Sequence, residues 1–347
     1  MRAITIEPGV PGSARLEDVP EPPPSAGEVL VRTLAMGVCG TDLDLVRGEF
    51  GAAPPGEIRL ILGHESLGVV VEAPPASGLV PGRRVAGIVR RPDPIPCPNC
   101  ASGEWDMCRN GRYTEHGIKG LHGFGAEYFR MPARFLVPVD EELGLAAVLM
   151  EPTSIVAKAW EHIDRLAART IWRPRRVLVT GAGPIGLLAA LLAVERGYEV
   201  HVLDRVTGGP KPRLVSALGA TYHTGSVHDA AEAADIVLEC TGAGPVIVDA
   251  IHAPAPSGIV CLTGVSSGGR ALPVDLLALN RALVLENTII FGTVNANRRH
   301  YDAAAKALAD ADPEWLSGVI TREVPPERWA EALERRADDV KPIIRFA

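Results

Sequence analysis

The chain has 347 residues, a formal net charge of −7 and 47% hydrophobic residues, which suits a globular protein of about two domains. Its acidic balance, without a dense run of lysine or arginine, excludes a general basic surface for nucleic acid. The longest apolar run, Ile185 to Val194, is shorter than the roughly 20 residues of a membrane span. The N-terminus has no apolar signal core, so we expect a cytoplasmic enzyme with no membrane or nucleic-acid partner.

Residues 1–155 are rich in short β runs and turn residues. Val29–Val31 and Leu67–Glu72 are typical strand segments bounded by glycine and proline. They predict an irregular β-rich domain. From Glu151 to Thr170, apolar residues recur at helical spacing, which predicts a linking helix.

A second domain is predicted over residues 156–294. It opens with the βαβ order of strand Arg176–Thr180, a glycine loop, helix Ile185–Arg196 and strand Glu199–Leu203. Later buried strands are predicted at Asp235–Cys240, Gly258–Leu262 and Ile289–Gly292. This pattern is typical of an α/β, doubly wound parallel sheet. We expect the tail, residues 295–347, to return to the first domain.

Candidate ligands for a catalytic zinc lie in the first domain. Cys39 sits in a glycine-flanked loop, and His64 and Glu65 follow further along. Thiolate, imidazole and one carboxylate leave a coordination position open, as catalytic zinc requires. Glu151, at the start of the linking helix, is the preferred third ligand, and Glu65 is expected to exchange onto the metal or to orient a ligand.

Each of these residues also has a structural interpretation. Taken singly, Cys39 would more often be a buried thiol and His64 a core histidine; their combination with a cofactor loop favours the metal. Thr41, two residues after Cys39, is placed to hydrogen-bond the substrate oxygen and to pass its proton outward. Simple capping of the loop is the alternative for Thr41.

A second cysteine cluster is formed by Cys97, Cys100 and Cys108. A CxxC pair with a third cysteine eight residues later is typical of structural zinc, which takes four ligands. The fourth ligand is missing from its usual place, and Asp93 is the candidate. The alternative is a metal-free lobe whose thiols are remnants.

The segment from Gly181 to Gly186 (GAGPIG) follows a β-branched strand and opens a helix, which is the context that a dinucleotide-binding loop requires. Gly181 would permit the tight turn, Gly183 the approach of the pyrophosphate, and Gly186 the close packing of helix on sheet. The N–H groups of the helix end would meet the phosphate charge. The alternative is a structural turn without cofactor.

Asp204 ends the next strand at about the expected interval of 20 residues. It is expected to accept hydrogen bonds from the adenosine ribose and to repel a 2′-phosphate, which favours NAD. Arg205 can turn onto a 2′-phosphate, so some use of NADP is also expected. The other candidate cofactor-binding residues are Pro184, Ile185, Thr241 and Asn295.

The chain resembles the zinc-containing medium-chain alcohol dehydrogenases over essentially its whole length, and most of all their glucose 1-dehydrogenase branch. The segments that carry the resemblance are Gly37–Asp42, Leu62–Glu65, Arg90–Pro92, Tyr113–Ile118, Gly123–Phe124, Glu151–Pro152 and Gly292–Asn295. The resemblance implies a GroES-like catalytic domain, an inserted Rossmann domain, and zinc-dependent oxidation of β-D-glucose at C1 with NAD(P). It also implies a homo-oligomer, either a dimer or a tetramer.

The same resemblance implies roles for individual residues. Zinc would be held by Cys39, His64 and Glu151, with Glu65 as an occasional ligand. The sugar would contact Thr41, Glu115, His116, Glu151 and Asn295. Without the resemblance, Glu115 would be interpreted as a surface loop acid.

The sequence departs from the family pattern at three places. The segment Asp93–Pro96 replaces the first lobe cysteine, and Asp44 stands where many members carry a histidine of the proton relay. Val89 and Leu285 stand where some sugar-active relatives place polar groups. These changes bear on the lobe metal, the proton exit and the preference for glucose over other aldoses.

The leading hypothesis is a zinc- and NAD(P)-dependent glucose 1-dehydrogenase that also accepts related aldoses. The first alternative is a polyol or secondary-alcohol dehydrogenase. The second is a non-catalytic cofactor-binding subunit with a structural or regulatory role. The joint presence of Cys39, His64, Glu151 and Thr41 argues against the second, since a structural role needs no open coordination position.

Overall fold

The computed structural model describes residues 1–231, 233–266 and 271–347. These divide into two compact units. Unit 1 comprises Met1–Ser154 and Asn295–Ala347, and unit 2 comprises Ile155–Val294. The predicted fold class, a β-rich domain together with a doubly wound α/β domain, is confirmed.

Strands and helices are numbered in chain order. The strands are β1 (Arg2–Ile6), β2 (Arg15–Asp18), β3 (Glu28–Gly37), β4 (Leu60–Ile61), β5 (Glu65–Glu72), β6 (Arg84–Gly87), β7 (Arg90–Arg91), β8 (Thr114–His116), β9 (Gly120–Leu121), β10 (Tyr128–Pro132), β11 (Leu136–Pro138), β12 (Arg176–Thr180), β13 (Glu199–Leu203), β14 (Thr221–His223), β15 (Ile236–Glu239), β16 (Ile259–Leu262), β17 (Ile289–Gly292), β18 (Ile320–Val324) and β19 (Lys341–Arg345). The helices are α1 (Gly40–Val46), α2 (Pro98–Ala101), α3 (Met150–Ala167), α4 (Pro184–Glu195), α5 (Pro210–Ala217), α6 (Val227–Ala231), α7 (Gly244–Ile251), α8 (Leu276–Leu285), α9 (Arg298–Asp310), α10 (Pro313–Val319) and α11 (Trp329–Ala332). Short 3-10 segments cover Pro75–Ser77, Trp105–Met107, Ala133–Phe135, Glu141–Leu149 and Pro326–Arg328.

Unit 1 is built on a mixed sheet with the strand order β11-β6-β5-β3-β19-β18, in which β10 also pairs with β3. Two smaller sheets have the orders β2-β1-β4 and β7-β8-β9. In the large sheet, Gly37 at the end of β3 pairs with Glu65 of β5 on one side and with Ile343 of β19 on the other. The C-terminal tail therefore completes the sheet at the ends of β3 and β5, next to Cys39 and His64.

The apolar core of unit 1 joins the tail to the N-terminal strands. One cluster contains Ile4 and Ile6 of β1, Met36 of β3, Ile344 of β19, and Leu62, which directly follows β4. Each of these side chains is at most 1% exposed. Full burial of such a side chain contributes roughly 1.5–3 kcal/mol. These contacts hold β19 in register with β3.

Unit 2 is a parallel sheet with the strand order β14-β13-β12-β15-β16-β17. The chain runs outward from β12 to β14 and then resumes on the other side of β12 with β15. Between β12 and β15 the order reverses, and doubly wound sheets bind dinucleotides at the carboxyl ends of the strands that flank this point. Val177 and Val179 of β12 and Ile236 and Leu238 of β15 are fully buried, as expected for a sheet covered on both faces.

One stretch among the described residues, Glu141–Ala167, is long and apolar enough to cross a membrane by length and composition alone. Of its most apolar window, 78% is buried inside the protein, and the core helix of a soluble protein passes the same test. The stretch is not an uninterrupted apolar run, because it contains charged residues such as Glu151 and Lys158.

Candidate functional site

Cys39 is held at the start of a helix. It is the N-cap of α1, where its Sγ accepts from the Thr41 backbone N–H at 3.3 Å. The Asp42 carboxylate in turn accepts from the Cys39 backbone N–H at 2.9 Å. This reciprocal capping box explains the local sequence and fixes the direction in which the Cys39 side chain points. The Thr41 hydroxyl has no hydrogen-bond partner among the described residues.

His64 lies beside this thiol. Its Nε2 is 3.1 Å from Cys39 Sγ, and its Nδ1 is 3.5 Å from Asp42 Oδ1. Ligands on one tetrahedral zinc, at about 2.0–2.3 Å from the ion, lie about 3.5 Å apart, so the two donors can share a metal. Burial lowers the pKa of His64, but Cys39 and Asp42 outweigh this effect and raise it well above its ordinary value.

Glu65 completes a group of three donors. Its carboxylate and the donor atoms of Cys39 and His64 all lie within 4.8 Å of one another. Both Glu65 oxygens accept from Lys341 Nζ at 2.7 Å, and both side chains are at most 2% exposed. Gly37 lies opposite, where a Cβ would overlap Glu65 Oε2.

Sequence reasoning missed Lys341. Its Nζ donates to Val38 O at 3.2 Å as well as to Glu65. Burial lowers the pKa of Lys341, but Glu65 and Cys39 outweigh burial, and the pKa is raised. A charged residue at the start of the apolar strand β19 was the signal available in the sequence.

Glu151 lies outside the group of donors within 4.8 Å that the described residues form. Glu65, the acid expected as an occasional ligand, is in that group because β5 begins with it directly after His64, whereas Glu151 enters from the first turn of α3. Burial raises the pKa of Glu151 to about 7; His64 and Lys341 lower it, and Glu65 raises it further.

The charge around His64 tests whether a divalent cation fits. Lys341 is paired with Glu65, and no cation lies within salt-bridge distance of Glu151 among the described residues. His64 Nδ1 is buried without a hydrogen bond. A thiol, an imidazole and carboxylates with an excess of negative charge match the donor set of catalytic zinc, so these residues fit the metal.

Glu115, predicted to bind the sugar, is buried in β8 and is held by two partners. Its Oε1 accepts from Arg90 Nε at 3.1 Å and Nη2 at 3.0 Å, and from Asn295 Nδ2 at 2.5 Å. Two predicted residues, Glu115 and Asn295, are thus brought together although 180 positions separate them. Sequence reasoning noted Arg90 only as part of a motif.

His116 is placed differently from the prediction that it contacts sugar. Its Nδ1 is 2.6 Å from His122 O and its Nε2 is 2.9 Å from Arg91 Nη2, so both ring nitrogens are engaged. The ring stacks on Phe124. Burial and the neighbouring Arg91 hold the pKa of His116 well below its usual range. A neutral ring with both nitrogens occupied offers no free polar atom, which makes His116 a packing residue.

The three lobe cysteines also gather. Donor atoms of Cys97, Cys100 and Cys108 lie within 4.8 Å of one another. The Asp93 carboxylate, the candidate fourth ligand, is not in that group: Oδ1 accepts from the Ile95 backbone N–H at 2.8 Å, and Oδ2 is buried without a partner. Backbone N–H donors lower the pKa of Cys97 to about 6, whereas burial raises that of Cys100 to about 11.

The glycine loop has the geometry of a dinucleotide site. Gly181 has a φ of 91°, and a Cβ at Gly186 would overlap Gly181 O. Gly183 is the N-cap of α4 and has open space on its Cβ side. Pro184 and Ile185 begin that helix and are partly exposed. The first N–H groups of α4 are thus available to an anion.

Asp204 is adjacent to this loop. It accepts from the backbone N–H of Ala182 at 2.8 Å and of Val206 at 3.0 Å, and from Lys211 Nζ at 3.1 Å. Burial raises the pKa of Asp204, but these N–H donors and Lys211 outweigh it and lower the pKa. Arg205 is exposed.

Thr241 packs on the first glycine of the loop, because a Cβ at Gly181 would approach Thr241 Cγ2 to 2.9 Å. The residue that holds Thr241 is Glu239, which sequence reasoning missed. Fully buried at the end of β15, Glu239 accepts from the Thr241 N–H at 2.7 Å, from the Thr241 hydroxyl and from the Gly242 N–H at 3.2 Å. An acid that ends a buried strand was the available signal.

Two family models match the chain. The alcohol dehydrogenase GroES-like domain matches residues 25–141. The glucose dehydrogenase C-terminus matches residues 144–346. Together they cover most of both units.

Several relatives match over the full chain. A glucose 1-dehydrogenase of Methanocella arvoryzae is 42% identical over 100% of this chain and 99% of its own. One of Thermoproteus tenax is 40% identical over 99% of both. Among solved structures, the Haloferax mediterranei glucose dehydrogenase in complex with NADP, Zn and gluconolactone is 34% identical, with a TM-score of 0.92 and coverage of 100% of this chain and 99% of that one.

Proposed function

The chain belongs to the zinc-containing medium-chain alcohol dehydrogenases, in their glucose 1-dehydrogenase branch, and on that premise we propose that it oxidises the C1 hydroxyl of D-glucose and related aldoses to the lactone, with hydride transfer to NAD(P). The observation that carries the proposal is the Cys39–His64–Glu65 donor group in the same chain as the Gly181–Gly186 loop. A Lewis-acid site and a dinucleotide site together suit alcohol–carbonyl redox chemistry.

Cys39, His64 and Glu151 are the proposed zinc ligands, and Glu65 is an occasional one. The choice between the two acids rests on charge: Lys341 neutralises Glu65 through both oxygens at 2.7 Å, whereas Glu151 has no ion pair among the described residues. Zinc bound here would supply Lewis-acid activation of the substrate hydroxyl by lowering its pKa.

The surrounding residues orient the ligands and move the proton. Asp42 caps Cys39 and lies 3.5 Å from His64 Nδ1, so it sets the orientation of both ligands. The Thr41 hydroxyl is free to accept the proton of the substrate hydroxyl and to donate its own outward. Asp44, three residues further along α1, stands where many family members carry the histidine of the proton relay.

Glu115 and Asn295 are the proposed sugar-binding residues. A site that hydrogen-bonds several hydroxyls rejects a simple alcohol, because its buried polar groups would then lack partners. His116 is left out of this role since both of its ring nitrogens are engaged.

The cofactor site comprises Gly181, Gly183, Pro184, Ile185, Gly186, Asp204, Arg205 and Thr241. NAD is the preferred cofactor because the Asp204 carboxylate, whose ion pair among the described residues is with Lys211, would repel a 2′-phosphate. Lys211, 3.1 Å from Asp204, and the exposed Arg205 favour some use of NADP, the cofactor present in the Haloferax mediterranei structure.

The lobe formed by Cys97, Cys100 and Cys108 is proposed to hold a second, structural zinc. Three gathered thiols support this. Asp93 is the candidate fourth ligand, because its Oδ2 is buried without a partner. The alternative, a lobe without metal, predicts one zinc per chain instead of two.

The chain is proposed to act in the cytoplasm as a homo-oligomer. β17 is an edge strand of the unit 2 sheet, and an open edge favours pairing with a second copy. The neighbouring helix α8 supports this: Leu276, Leu277, Val284 and Leu285 are each more than 60% exposed. Apolar side chains exposed together mark an interface. Light scattering in solution measures the number of subunits.

Steady-state kinetics over a panel of aldoses and polyols, with NAD and with NADP, test the proposed function. Metal content is measured on the same sample. D-glucose or a related aldose is expected to have the highest kcat/KM. Faster oxidation of sorbitol or of a secondary alcohol than of every aldose would favour the alternative enzyme, and the absence of turnover with all of them would favour a non-catalytic subunit.

A further inference from the structure

The two oxygens of the Glu115 carboxylate are used unequally. Oε1 accepts three N–H groups, two from Arg90 and one from Asn295. Oε2 accepts no hydrogen bond from a described residue, and it is not completely buried. One oxygen of this carboxylate is therefore anchored, and the other is open.

Arg90 is itself fixed by further contacts. Its Nη1 donates to Asp106 O at 3.0 Å, and its guanidinium lies 3.6 Å from the centre of the Tyr113 ring. The side chain is 7% exposed, and that of Glu115 is 10% exposed. A planar guanidinium that donates in two directions and stacks on a ring is held in one orientation. Arg90 therefore sets the position of Glu115 rather than adapting to it.

Asn295 reaches Glu115 from a constrained backbone. It adopts a left-handed φ of 65°, and its Oδ1 accepts from the Ala296 N–H at 3.0 Å. Outside glycine this conformation is unfavourable, and asparagine is among the residues that tolerate it best. Such strain persists where neighbouring contacts hold it. Here it directs Nδ2 at the same oxygen that Arg90 binds.

The same contacts reach the cysteine lobe. Asp106, whose carbonyl accepts from Arg90, lies between Cys100 and Cys108 and also accepts through Oδ1 from Asn297 Nδ2 at 2.7 Å. Arg90 therefore bridges the lobe and Glu115.

We infer that Arg90 and Asn295 are positioning residues for sugar specificity: they hold Oε1 of Glu115 so that Oε2 is presented to a hydroxyl of the aldose other than the one oxidised. This inference rests on the proposed function. It adds a role through Glu115 to the proposed sugar contact of Asn295, and it makes Arg90, which has no role in the proposed function, a determinant of polyol recognition. A fixed acceptor discriminates because a sugar that lacks the matching hydroxyl leaves the carboxylate oxygen unpaired.

The test compares D-glucose with 2-deoxy- and 3-deoxy-D-glucose in wild type and in Arg90→Met. Wild type is expected to prefer glucose over at least one deoxy sugar by about 10- to 100-fold in kcat/KM, as for a hydrogen bond to a charged group. In Arg90→Met, that preference is expected to fall below about threefold. The KM for glucose should rise at least tenfold while kcat changes much less, since the lost interaction is one of binding.

Arg322→Met is the matched control. Arg322 forms an ion pair with Asp339 in the same unit, and their side chains are 10% and 12% exposed. This variant should lose stability and keep the wild-type preference among sugars. Arg90→Lys, which keeps the charge but lacks the planar fork that donates to Oε1 and to Asp106 O, replaces Arg90→Met if the latter does not fold.

A wild-type preference that survives in folded Arg90→Met or Arg90→Lys would overturn the inference. An equal loss of preference in Arg322→Met would overturn it too, because any broken ion pair would then have the same effect. Failure of the proposed function is a separate result, seen in wild type alone as an absence of oxidation of any aldose with either cofactor.

Discussion

Removal of the Lys341 ammonium is expected to destabilise unit 1 severely. Lys341→Met keeps a side chain of similar length but loses the Nζ that donates to both Glu65 oxygens at 2.7 Å and to Val38 O at 3.2 Å. Lys341 and Glu65 are only 1% and 2% exposed, so water cannot replace the lost donor. The variant therefore leaves a buried carboxylate without its cation.

The magnitude follows from this burial. Removing one partner of a buried ion pair costs about 3–5 kcal/mol. For a domain of 150–250 residues, each kcal/mol corresponds to about 2–4 °C in Tm, so a fall of about 6–20 °C is expected. The double variant Lys341→Met with Glu65→Gln should recover most of the loss, because an uncharged amide costs less to bury than an unpaired carboxylate.

Urea unfolding and thermal melting of the two variants and of wild type measure these differences. The exposed Lys306 of unit 1 supplies the control: Lys306→Met should stay within about 0.5 kcal/mol of wild type. The reasoning is refuted if Lys341→Met loses less than about 1 kcal/mol, or if the double variant is no more stable than the single one.

Three further predictions concern metal and cofactor. Cys39→Ser should lose one equivalent of zinc and about 10³-fold in kcat. The control Cys261→Ser changes a buried thiol outside the ligand group and should keep the metal. Elemental analysis and kinetics on the same samples measure both effects, and a fully active Cys39→Ser would remove the zinc mechanism. The pKa of Glu151 is raised from 4.5 to about 7. In the chelator-treated protein, the stability that Glu151 contributes should therefore be present below about pH 4.5 and lost as the pH rises through about 7. The pKa of His64 is also raised, so His64 acts in the same direction. Zinc affinity should therefore rise with pH. Below about pH 7, calorimetry in two buffers should show less proton release by Glu151→Gln than by wild type; equal proton release would contradict this. Asp204→Ala should raise the ratio of kcat/KM for NADP over NAD about tenfold or more, and an unchanged ratio would mean that Asp204 does not select the cofactor.

Much of the fold was predictable because it is encoded locally. The strand Arg176–Thr180 was predicted with the bounds that β12 has in the structure. The helix predicted at Ile185–Arg196 begins one residue earlier, at Pro184, since proline suits the first helical position, where its missing N–H is not needed. β-Branched runs and glycine turns act over a few residues, and such short-range signals survive in a single sequence.

The candidate site was predictable in its residue types but not in its pairings. Cys39 and His64 were identified, and the structure brings them to 3.1 Å. Glu65 is in the gathered donor group and Glu151 is not, and the sequence could not show this because it depends on where α3 enters the unit. His116 was predicted to contact sugar, but Arg91 and His122 O occupy its ring nitrogens.

By itself, the sequence determined the chemistry available to this protein: a thiol, an imidazole and acids near glycine turns, and a phosphate-binding loop between a strand and a helix. Only the tertiary structure decided which acid carries a counterion. Lys341 meets Glu65 across 276 positions, and Asn295 meets Glu115 across 180. Such pairs depend on the register in which distant strands and loops pack. No local spacing encodes that register, because it results from burial of the whole core.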